Sequence, residues 1–528
     1  MLIHIHKIRK KEVDNMLMEA KKNTLCVIQL LEEKTQTIMI ETDCIITDSK
    51  PDILNVMSTN GTVCMYKKEI QDKKVKIEGC IDTYIMYIPD AQECGIRGMN
   101  TSMDFSEVIA MEKAKEGHAQ DTNIVLKSIE CKVLNGRKIS LRAVVEVQIR
   151  IYANENIEVI EDVEDIQGLQ TLKEKMEIQS VIGEGMTKAY AKDTISIDTT
   201  DNLAEMMKVE FCIRNKETKI SYNKVLVKAD IVGKFVYLTE EGDLKCVTRD
   251  IPVMGFIDMQ HIEENHICET KIDIKNVLVN PNNIEEHSIF VEVEVDIQCR
   301  VLEEKEIELI QDVYSPVQQL EFTQRSVQLI AKKTWVKDIY NLRQKQTIEG
   351  IGQKEIIDMS ILPTIHNQVV RDGMIHYEGK VEIGMLLKHT STQTLEVQTR
   401  EIPFEHSVQQ QTIRENSIIE TQVEVNWEEM VIVTDNEMEI KVDVGIEANI
   451  QNKVSISIME NMQLQENREI PQASMVIYYA KPEDTLWEIA KRFHSTVDEI
   501  QKINTLAEGE TIARRQLFIP RYVPARNV

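Results

Sequence analysis

Few stretches of this chain group side chains that could perform chemistry. His261, His266 and Cys268 lie within eight residues, and imidazole and thiolate groups are ligands that zinc prefers. Their spacing fits no tetrahedral zinc motif, and no second pair of ligands accompanies them. We therefore predict no metal site and no other cofactor.

The ten cysteines form no Cys-x-x-Cys pair and no tight cluster with histidine. Cys80, Cys212 and Cys299 are examples that lie inside apolar, strand-like stretches. A free cysteine commonly packs in a protein core as a small apolar side chain. The pattern therefore favours reduced core thiols over disulfides or a zinc site.

Adjacent carboxylates, which could serve general acid and base catalysis, occur at Glu240-Glu241 and Glu428-Glu429. Such pairs are typical of solvated strand edges and turns, and no neighbouring nucleophile or base accompanies them. The sequence also lacks a Gly-x-x-x-x-Gly-Lys phosphate loop and a Gly-x-Ser-x-Gly nucleophile elbow. We therefore predict that the protein is not an enzyme.

A binding module is the better prediction for the stretch from Met475 to Arg521. Two short helices are indicated between two short β-type segments, which gives the order β-α-α-β. Thr485 and Glu488 form a capping box for the first helix, and Asn504 ends the second. The apolar stripe of the first helix consists of Leu486, Ile489, Ala490 and Phe493. Trp487 is predicted to pack in the core of this module.

Residues 478–490 read YYAKPEDTLWEIA, and with Asn504 and the closing LFIP at 517–520 they closely resemble a LysM domain. The resemblance implies a two-stranded sheet packed on two helices, with a shallow groove that holds N-acetylglucosamine-containing glycan. Carried over by motif, the groove residues are Glu483, Asp484, Thr485, Leu486, Asn504, Leu506 and Ile512, with Arg514 at the rim.

Two positions depart from the LysM pattern. Glu483 stands where the family has glycine before Asp484, and Ala513-Arg514 replaces its Pro-Gly before the last strand. Glycine lets a backbone approach a sugar closely or adopt a positive φ. These replacements make a protein ligand the competing use of the same groove.

Length and charge describe the rest of the chain. Its 528 residues predict three or four domains, and 62 basic against 88 acidic residues give a formal net charge of -26. Such a chain repels nucleic acid and anionic lipid. The amino end lacks the apolar stretch of a secretory signal, and no run approaches the ~20 apolar residues of a membrane span. We therefore expect a cytoplasmic protein without a membrane span.

One strand pattern recurs three times at a spacing of 150 residues. Apolar and polar residues alternate around Gly79, Ala229 and Gly379, which is the period of a half-buried strand. A second strand at 139–150 recurs at 289–300 and 438–447. Each copy also carries an intervening element, at 103–105, 251–253 and 402–404. The repeats predict a mainly β fold of three tandem domains, arranged as beads on a string.

The expected organisation can be given as residue ranges. These are a lead-in at 1–24, β repeats at 25–157, 174–308 and 343–456, a linker at 457–474 and the C-terminal module at 475–522. A helical-looking pattern runs from Val13 to Glu33, and the segments 167–176 and 316–342 could be short helices or further strands. Because the linker is polar, we expect the C-terminal module to move semi-independently.

Three acidic β repeats with a central glycine and an Ile-Pro-Phe-like element, joined to a LysM-like module, resemble the SPOCS repeats (DUF3794) of endospore-forming Firmicutes over roughly residues 25–456. The resemblance implies a clostridial spore-coat morphogenetic protein, made in the mother-cell cytoplasm and located at the forespore surface. Its LysM module would dock a coat protein, a coat-basement ATPase. Binding of peptidoglycan glycan is the alternative, and the partners of the repeats and the oligomeric state stay open.

Overall fold

The computed structural model describes residues 20–90, 95–163, 166–198, 202–282, 287–411, 413–414, 417–464, 474–507 and 509–522. Within these ranges strands dominate, and the two short α-helices both lie near the C-terminus. This composition confirms the predicted mainly β fold. No helix in the described part of the chain is long and apolar enough to cross a membrane.

Six strands in succession make up each of three similar units. Unit 1 contains β1 (Ala20–Ile45), β2 (Ile53–Gln71), β3 (Lys74–Pro89), β4 (Arg97–Ala110), β5 (Ala119–Asn135) and β6 (Lys138–Val163). Unit 2 contains β7 (Gln170–Ser196), β8 (Leu203–Ser221), β9 (Lys224–Thr239), β10 (Leu244–Asp258), β11 (Ile267–Asn282) and β12 (Ser288–Tyr314). Unit 3 contains β13 (Leu320–Thr347), β14 (Lys354–Arg371), β15 (Met374–His389), β16 (Leu395–Gln409), β17 (Ile418–Thr434) and β18 (Glu437–Leu464).

Each unit is a sandwich of two antiparallel sheets. The second, third and fourth strands form one sheet, as in β2-β3-β4. The sixth strand lies between the first and the fifth in the other sheet, as in β1-β6-β5. Alternate residues of both sheets point inward, so each unit has a large buried apolar cluster of its own. The expected limits of the repeats, 25–157, 174–308 and 343–456, fall inside units 1, 2 and 3. That each repeat folds independently stays a prediction.

The glycine at the centre of β3 in unit 1 and of β15 in unit 3 has a packing reason. Gly79 lies opposite Phe105, and a Cβ added there would clash with the Cys64 carbonyl oxygen and come within 2.8 Å of the phenyl ring. Gly379 faces Phe404 in the same way, at 2.6 Å. In unit 2 Ala229 lies opposite Val253. The methyl group that alanine adds therefore faces a side chain smaller than phenylalanine. The intervening element at 103–105, 251–253 and 402–404 is therefore the cross-strand partner of this position.

The three units are not beads on a string. A central cluster of buried side chains is shared by all of them, because the long first and sixth strands extend past each sandwich and the first strands contact one another pairwise. The central cluster consists of Leu25, Val27, Ile157, Val159, Ile178, Ile307, Leu309, Val327, Leu329, Ala331, Ile456 and Ile458. Continuous apolar contact of this kind joins the units into one body.

Ion pairs cross every junction between the units. Lys271 of unit 2 binds Asp121 of unit 1 at 2.7 Å, and Lys333 of unit 3 binds Glu269 of unit 2 at 2.9 Å. Arg150 of unit 1 closes the ring on Glu420 of unit 3 at 2.5 Å. All of these residues except Arg150 line a cavity of about 710 Å³ between the units. Its charged walls therefore serve to hold neighbouring units together.

Several local expectations need correction. Residues 20–33 belong to strand β1 rather than to a helix, because Leu25 and Val27 are buried in the central cluster while the strand pairs with β6. Residues 1–19 lie outside the described part. The first part of the expected 457–474 linker continues β18 to Leu464. Residues 465–473 of that linker also lie outside the described part. The segments 167–176 and 316–342 were left open between helices and strands, and their parts 170–176 and 320–342 are strands.

Burial of the cysteines is uneven. Cys80 and Cys299 are buried as predicted, whereas Cys212 is exposed. Strand β8 turns Phe211 toward the core of unit 2, and successive side chains on a strand point to opposite faces, so Cys212 faces outward. The nine described cysteines are all free thiols.

The C-terminal module has the predicted order of elements, which is β19 (Met475–Tyr479), α1 (Leu486–Arg492), α2 (Val497–Asn504) and β20 (Gln516–Pro520). It is docked on the body, in contrast to the expected semi-independent module. The Trp487 indole N–H donates to Asp312 Oδ2 at 2.8 Å, and its ring lies edge-on to Tyr314 at 4.9 Å. Lys491 Nζ also binds Asp312, at 2.6 Å. Trp487 thus packs against unit 2 as well as against its own module.

Candidate functional site

The first loop of the candidate groove leads directly into helix α1. The Thr485 hydroxyl accepts a hydrogen bond from the Glu488 backbone N–H at 3.2 Å, and the Glu488 carboxylate accepts one from the Thr485 N–H. This is the predicted capping box, and it satisfies backbone donors that the first turn of a helix leaves free. Thr485 is therefore engaged in holding the loop in place against the helix.

Asp484 is also bound within the loop. Its Oδ2 accepts hydrogen bonds from the Lys481 backbone N–H and from the Tyr478 hydroxyl, both at 2.8 Å. The Lys481 N–H, followed by the Tyr478 hydroxyl, lowers the pKa of the Asp484 carboxyl because both stabilise its charged form. Asp484 therefore fixes the shape of the turn between β19 and α1.

Asn504 joins the end of helix α2 to strand β20. Its Nδ2 donates to the carbonyl oxygens of Ile500 and Phe518 at 2.8 and 2.7 Å, and its Oδ1 accepts from the Phe518 N–H at 2.8 Å. The amide thus pairs with both backbone groups of Phe518 on the edge of β20. In this arrangement it acts as a clamp inside the module.

The three apolar groove residues contact the core of the module. Ile512 is buried, and Leu486 and Leu506 are half-buried against the same cluster. That cluster includes Ile489 and Ile500 on the inner faces of the helices. The structure therefore brings residues from both predicted sides of the groove together, at its floor.

Glu483 and Arg514 are the exposed charges among the predicted residues. Arg514 belongs to the loop before β20, and its N–H donates to the Ala480 carbonyl at 2.9 Å, which ties that loop to the loop after β19. Arg514 adopts φ 61°, in the left-handed region that favours glycine. The backbone at Arg514 therefore has a conformation that suits glycine, although the residue is an arginine.

Replacing Arg514 with glycine is expected to stabilise the module by about 1 kcal/mol, because a left-handed conformation costs an L-residue roughly that amount and costs glycine almost nothing. Hydrogen exchange of the module's backbone amides in the full-length protein measures the change. Arg514→Lys, which keeps both the Cβ and the charge, should leave exchange unchanged. Equal exchange in the glycine and lysine variants would contradict the strain at this position.

Trp487, Asp312 and Tyr314 form the contact that sequence reasoning missed. The Tyr314 hydroxyl donates to the Ser495 carbonyl at 2.9 Å, so the contact also reaches the loop between α1 and α2. Asp312 and Tyr314 lie near the end of β12, and this position is the signal that the sequence offers. It does not show that they contact residues about 175 positions later, because that contact depends on the tertiary fold. The predicted ligand-binding roles of the groove residues stay predictions.

Comparison with protein families agrees with the motifs. Residues 52–134 and 203–282 match the SipL, SPOCS domain, and residues 478–520 match the LysM domain. No curated protein and no solved structure matches the chain. The SPOCS matches fall in units 1 and 2, and unit 3 has the same strand order and sheet pairing. The chain therefore contains SPOCS domains followed by a C-terminal LysM domain, as predicted.

These domains support a sporulation-related protein with a module of the peptidoglycan-binding type. SPOCS and LysM domains are typically non-catalytic binding domains. The LysM domain suggests glycan binding, while its charged rim and its docking on the body are features of this chain.

Proposed function

We propose that this chain, in which SPOCS domains precede a LysM domain, is a non-enzymatic assembly adaptor in spore-coat morphogenesis. It acts from the mother-cell cytoplasm at the forespore surface. Its LysM module docks a protein, a coat-basement ATPase, and the SPOCS units provide the scaffold that carries the module.

The outer face of the β19-β20 sheet is the observation that carries this proposal. Met475, Ile477, Tyr479 and Phe518 are large apolar side chains that all stand 40 to 68% exposed there, and Ile477 lies directly opposite Phe518. Grouped apolar side chains on a surface of this kind are typical of protein interaction sites. The face is separate from the docking contact of Trp487, which leaves it available to a partner.

The groove rim supports the same conclusion. Glu483 and Arg514 place opposite charges on two loops that are joined through the backbone of Ala480. Rim charges steer a protein partner and select its orientation more than they add affinity. The Asn504 amide, by contrast, already uses three hydrogen bonds inside the module and has little left for sugar hydroxyls.

Binding of N-acetylglucosamine glycan is the alternative, and the LysM match itself favours it. A sugar would bind in the groove, where it needs a close approach to the backbone. It would not require the exposed apolar face of the sheet. Substitutions in the groove and on the sheet face therefore distinguish the two functions.

The test measures binding of the full-length protein to the purified coat-basement ATPase and, separately, to N-acetylglucosamine oligomers. Ile477→Asp, which puts a charge on the apolar face, is expected to weaken ATPase binding at least tenfold. Glu483→Gly with Arg514→Gly should weaken it less and mainly slow association, because rim charges act on the encounter. Both variants should fold, since each altered side chain is exposed.

Arg514→Lys is the matched control, because it preserves the rim charge and should bind the ATPase like the wild-type chain. Tight oligosaccharide binding by the wild-type chain without ATPase binding would replace the adaptor role with the glycan role. Oligosaccharide binding that increases in the double-glycine variant would show that the two glycines restore the family's sugar contacts.

A further inference from the structure

Cys64, Cys80 and Asp82 form a cluster between strands β2 and β3 of unit 1. Cys64 and Cys80 are direct cross-strand partners, and Asp82 follows Cys80 on the same face of β3. Both cysteine side chains are buried, and Asp82 is half-buried. One potential ligand atom from each residue lies within 4.8 Å of the other two.

The two sulfur–oxygen distances in this cluster, which run to different oxygens of Asp82, are close to those around a tetrahedral zinc ion. Cys80 Sγ lies 3.5 Å from Asp82 Oδ1, and Cys64 Sγ lies 3.7 Å from Asp82 Oδ2. With Zn–S and Zn–O bonds of about 2.3 and 2.0 Å, a tetrahedral angle separates sulfur from oxygen by about 3.5 Å. Small side-chain movements would therefore bring all three ligands onto one ion.

The ligand types select zinc among the common metal ions. Thiolates exclude magnesium and calcium, which prefer oxygen ligands, and a carboxylate completes a mixed set that zinc accepts. The Tyr66 hydroxyl donates a hydrogen bond to Cys80 Sγ at 2.6 Å. Hydrogen bonds of this kind orient metal-binding side chains. Tyr66 is itself 44% exposed and Asp82 is half-buried, so the buried thiols lie beside side chains that solvent reaches.

The other two units provide an internal comparison at the same repeat positions. In unit 3 the cross-strand pair is Thr364 and Lys380, and Lys380 forms an ion pair with Glu382, the counterpart of Asp82. In unit 2 the pair is Arg214 and Asp230. Both units thus carry a cationic side chain at this site. Unit 1 replaces it with two thiols beside Asp82, and a bound metal ion would supply the positive charge.

The cluster lies at the joint between units 1 and 2. Tyr84, the next residue on the same face of β3, packs against the core of unit 2. Strands β2, β3 and β4 all contact β8 of unit 2. A metal ion here would bind the two strands together on the face that meets the neighbouring unit.

We propose that Cys64, Cys80 and Asp82 bind one zinc ion, with water as the fourth ligand. The cysteines are sixteen positions apart with no intervening motif, and the strand register brings them together. This is why the site was excluded on sequence spacing alone.

The test is the zinc content of the full-length protein, purified without chelators under reducing conditions and measured by elemental mass spectrometry. One equivalent is expected, and Cys64→Ser and Cys80→Ser should each retain less than a tenth of it. Asp82→Asn, which preserves shape, should weaken zinc binding at least tenfold in competition with a chromogenic chelator. Cys299→Ser is the matched control at another buried cysteine and should keep the full equivalent.

Replacement of zinc by cobalt gives a second measurement. The wild-type and Cys299→Ser proteins should show thiolate-to-cobalt charge-transfer absorption, and Asp82→Asn should show it only at higher cobalt concentration. The proposal is overturned if zinc-supplemented wild-type protein holds no stoichiometric metal, or if all variants hold the same amount. A Cys64–Cys80 disulfide in protein isolated under reducing conditions would overturn it as well.

Discussion

Replacing Asp358 with alanine is expected to lower the free energy of unfolding of the three-unit body by about 3 kcal/mol, at the lower end of the range for breaking a buried ion pair. Asp358 of unit 3 binds Lys208 of unit 2 at 2.8 Å and Lys234 of the same unit at 2.6 Å. The side chains of Asp358 and Lys208 are only 7 and 6% exposed. The variant leaves Lys234 without a carboxylate partner at this junction, while Lys208 keeps Glu210 at 2.9 Å.

The measurement is the midpoint of the first denaturant-induced transition, together with proteolysis between units 2 and 3. Asp243→Ala is the matched control, since it removes an ion pair with Lys388 across the same junction. Asp243 is 52% exposed, and surface ion pairs contribute about 0–1 kcal/mol. If Asp358→Ala and Asp243→Ala have the same unfolding midpoint and the same proteolysis, the junction is absent in solution and the units are arranged as beads on a string.

The same carboxylate makes the junction sensitive to acid. Burial alone would raise the pKa of Asp358, but the charges of Lys208 and Lys234 outweigh it and hold the pKa below its ordinary value. A carboxyl group with a lowered folded pKa contributes its full stability above the unfolded pKa, about 3.9, and loses it as the pH falls through the folded pKa. The difference in the free energy of unfolding between wild-type protein and Asp358→Ala should therefore be constant near neutral pH and should shrink toward zero below about pH 4.

The interior of each unit could be predicted because its signals are local and repeated. The 150-residue spacing of Gly79, Ala229 and Gly379 identified the central strands. The turn between two of the strands of unit 3 is also local, since Asp372 and Gly373 both adopt positive φ. The assembly of the units could not be predicted in this way. Lys208 and Asp358 are 150 positions apart, and neither residue type reveals its partner.

The central cluster was missed for a related reason. Leu25 and Val27 lie in a stretch whose pattern looked helical, although they belong to β1 beyond the sandwich. A sequence pattern also does not show which domain will cover an apolar face. In the C-terminal module, the capping box and the end of α2 at Asn504 were predicted from sequence because both depend on neighbouring residues. The clamp between Asn504 and Phe518 depends on how the module closes, so motif comparison alone assigned Asn504 to the groove.

Replacing Trp487 with alanine is expected to release the LysM module from the body while leaving the module folded. The indole is half-buried, and it supplies the hydrogen bond to Asp312 and the edge-on contact with Tyr314. Removing a buried tryptophan costs about 3–5 kcal/mol, and partial burial reduces this to roughly 2–3 kcal/mol. Two docking contacts remain in this variant. The pair between Lys491 and Asp312 is partly exposed and contributes about 1 kcal/mol or less, and the Tyr314 hydroxyl still donates to the Ser495 carbonyl, a single hydrogen bond worth about 1 kcal/mol.

Release can be measured as a larger radius of gyration in X-ray scattering and as faster hydrogen exchange at the end of β12. Tyr479→Ala is the matched control, since Tyr479 is a 68% exposed aromatic residue of the same module and should leave both unchanged. Unchanged scattering and exchange in Trp487→Ala would show that the docked position is held by other contacts.

A second variant separates release of the module from its unfolding. Ile489 is 2% exposed at the centre of the module's core, so Ile489→Ala should cost about 2–5 kcal/mol in a unit of under fifty residues and unfold it. ATPase binding should then be lost in Ile489→Ala and kept in Trp487→Ala, because the docked face of α1 is separate from the exposed sheet face. Loss of binding in both variants, with the module of Trp487→Ala still folded, would instead mean that the partner contacts the body and the module together.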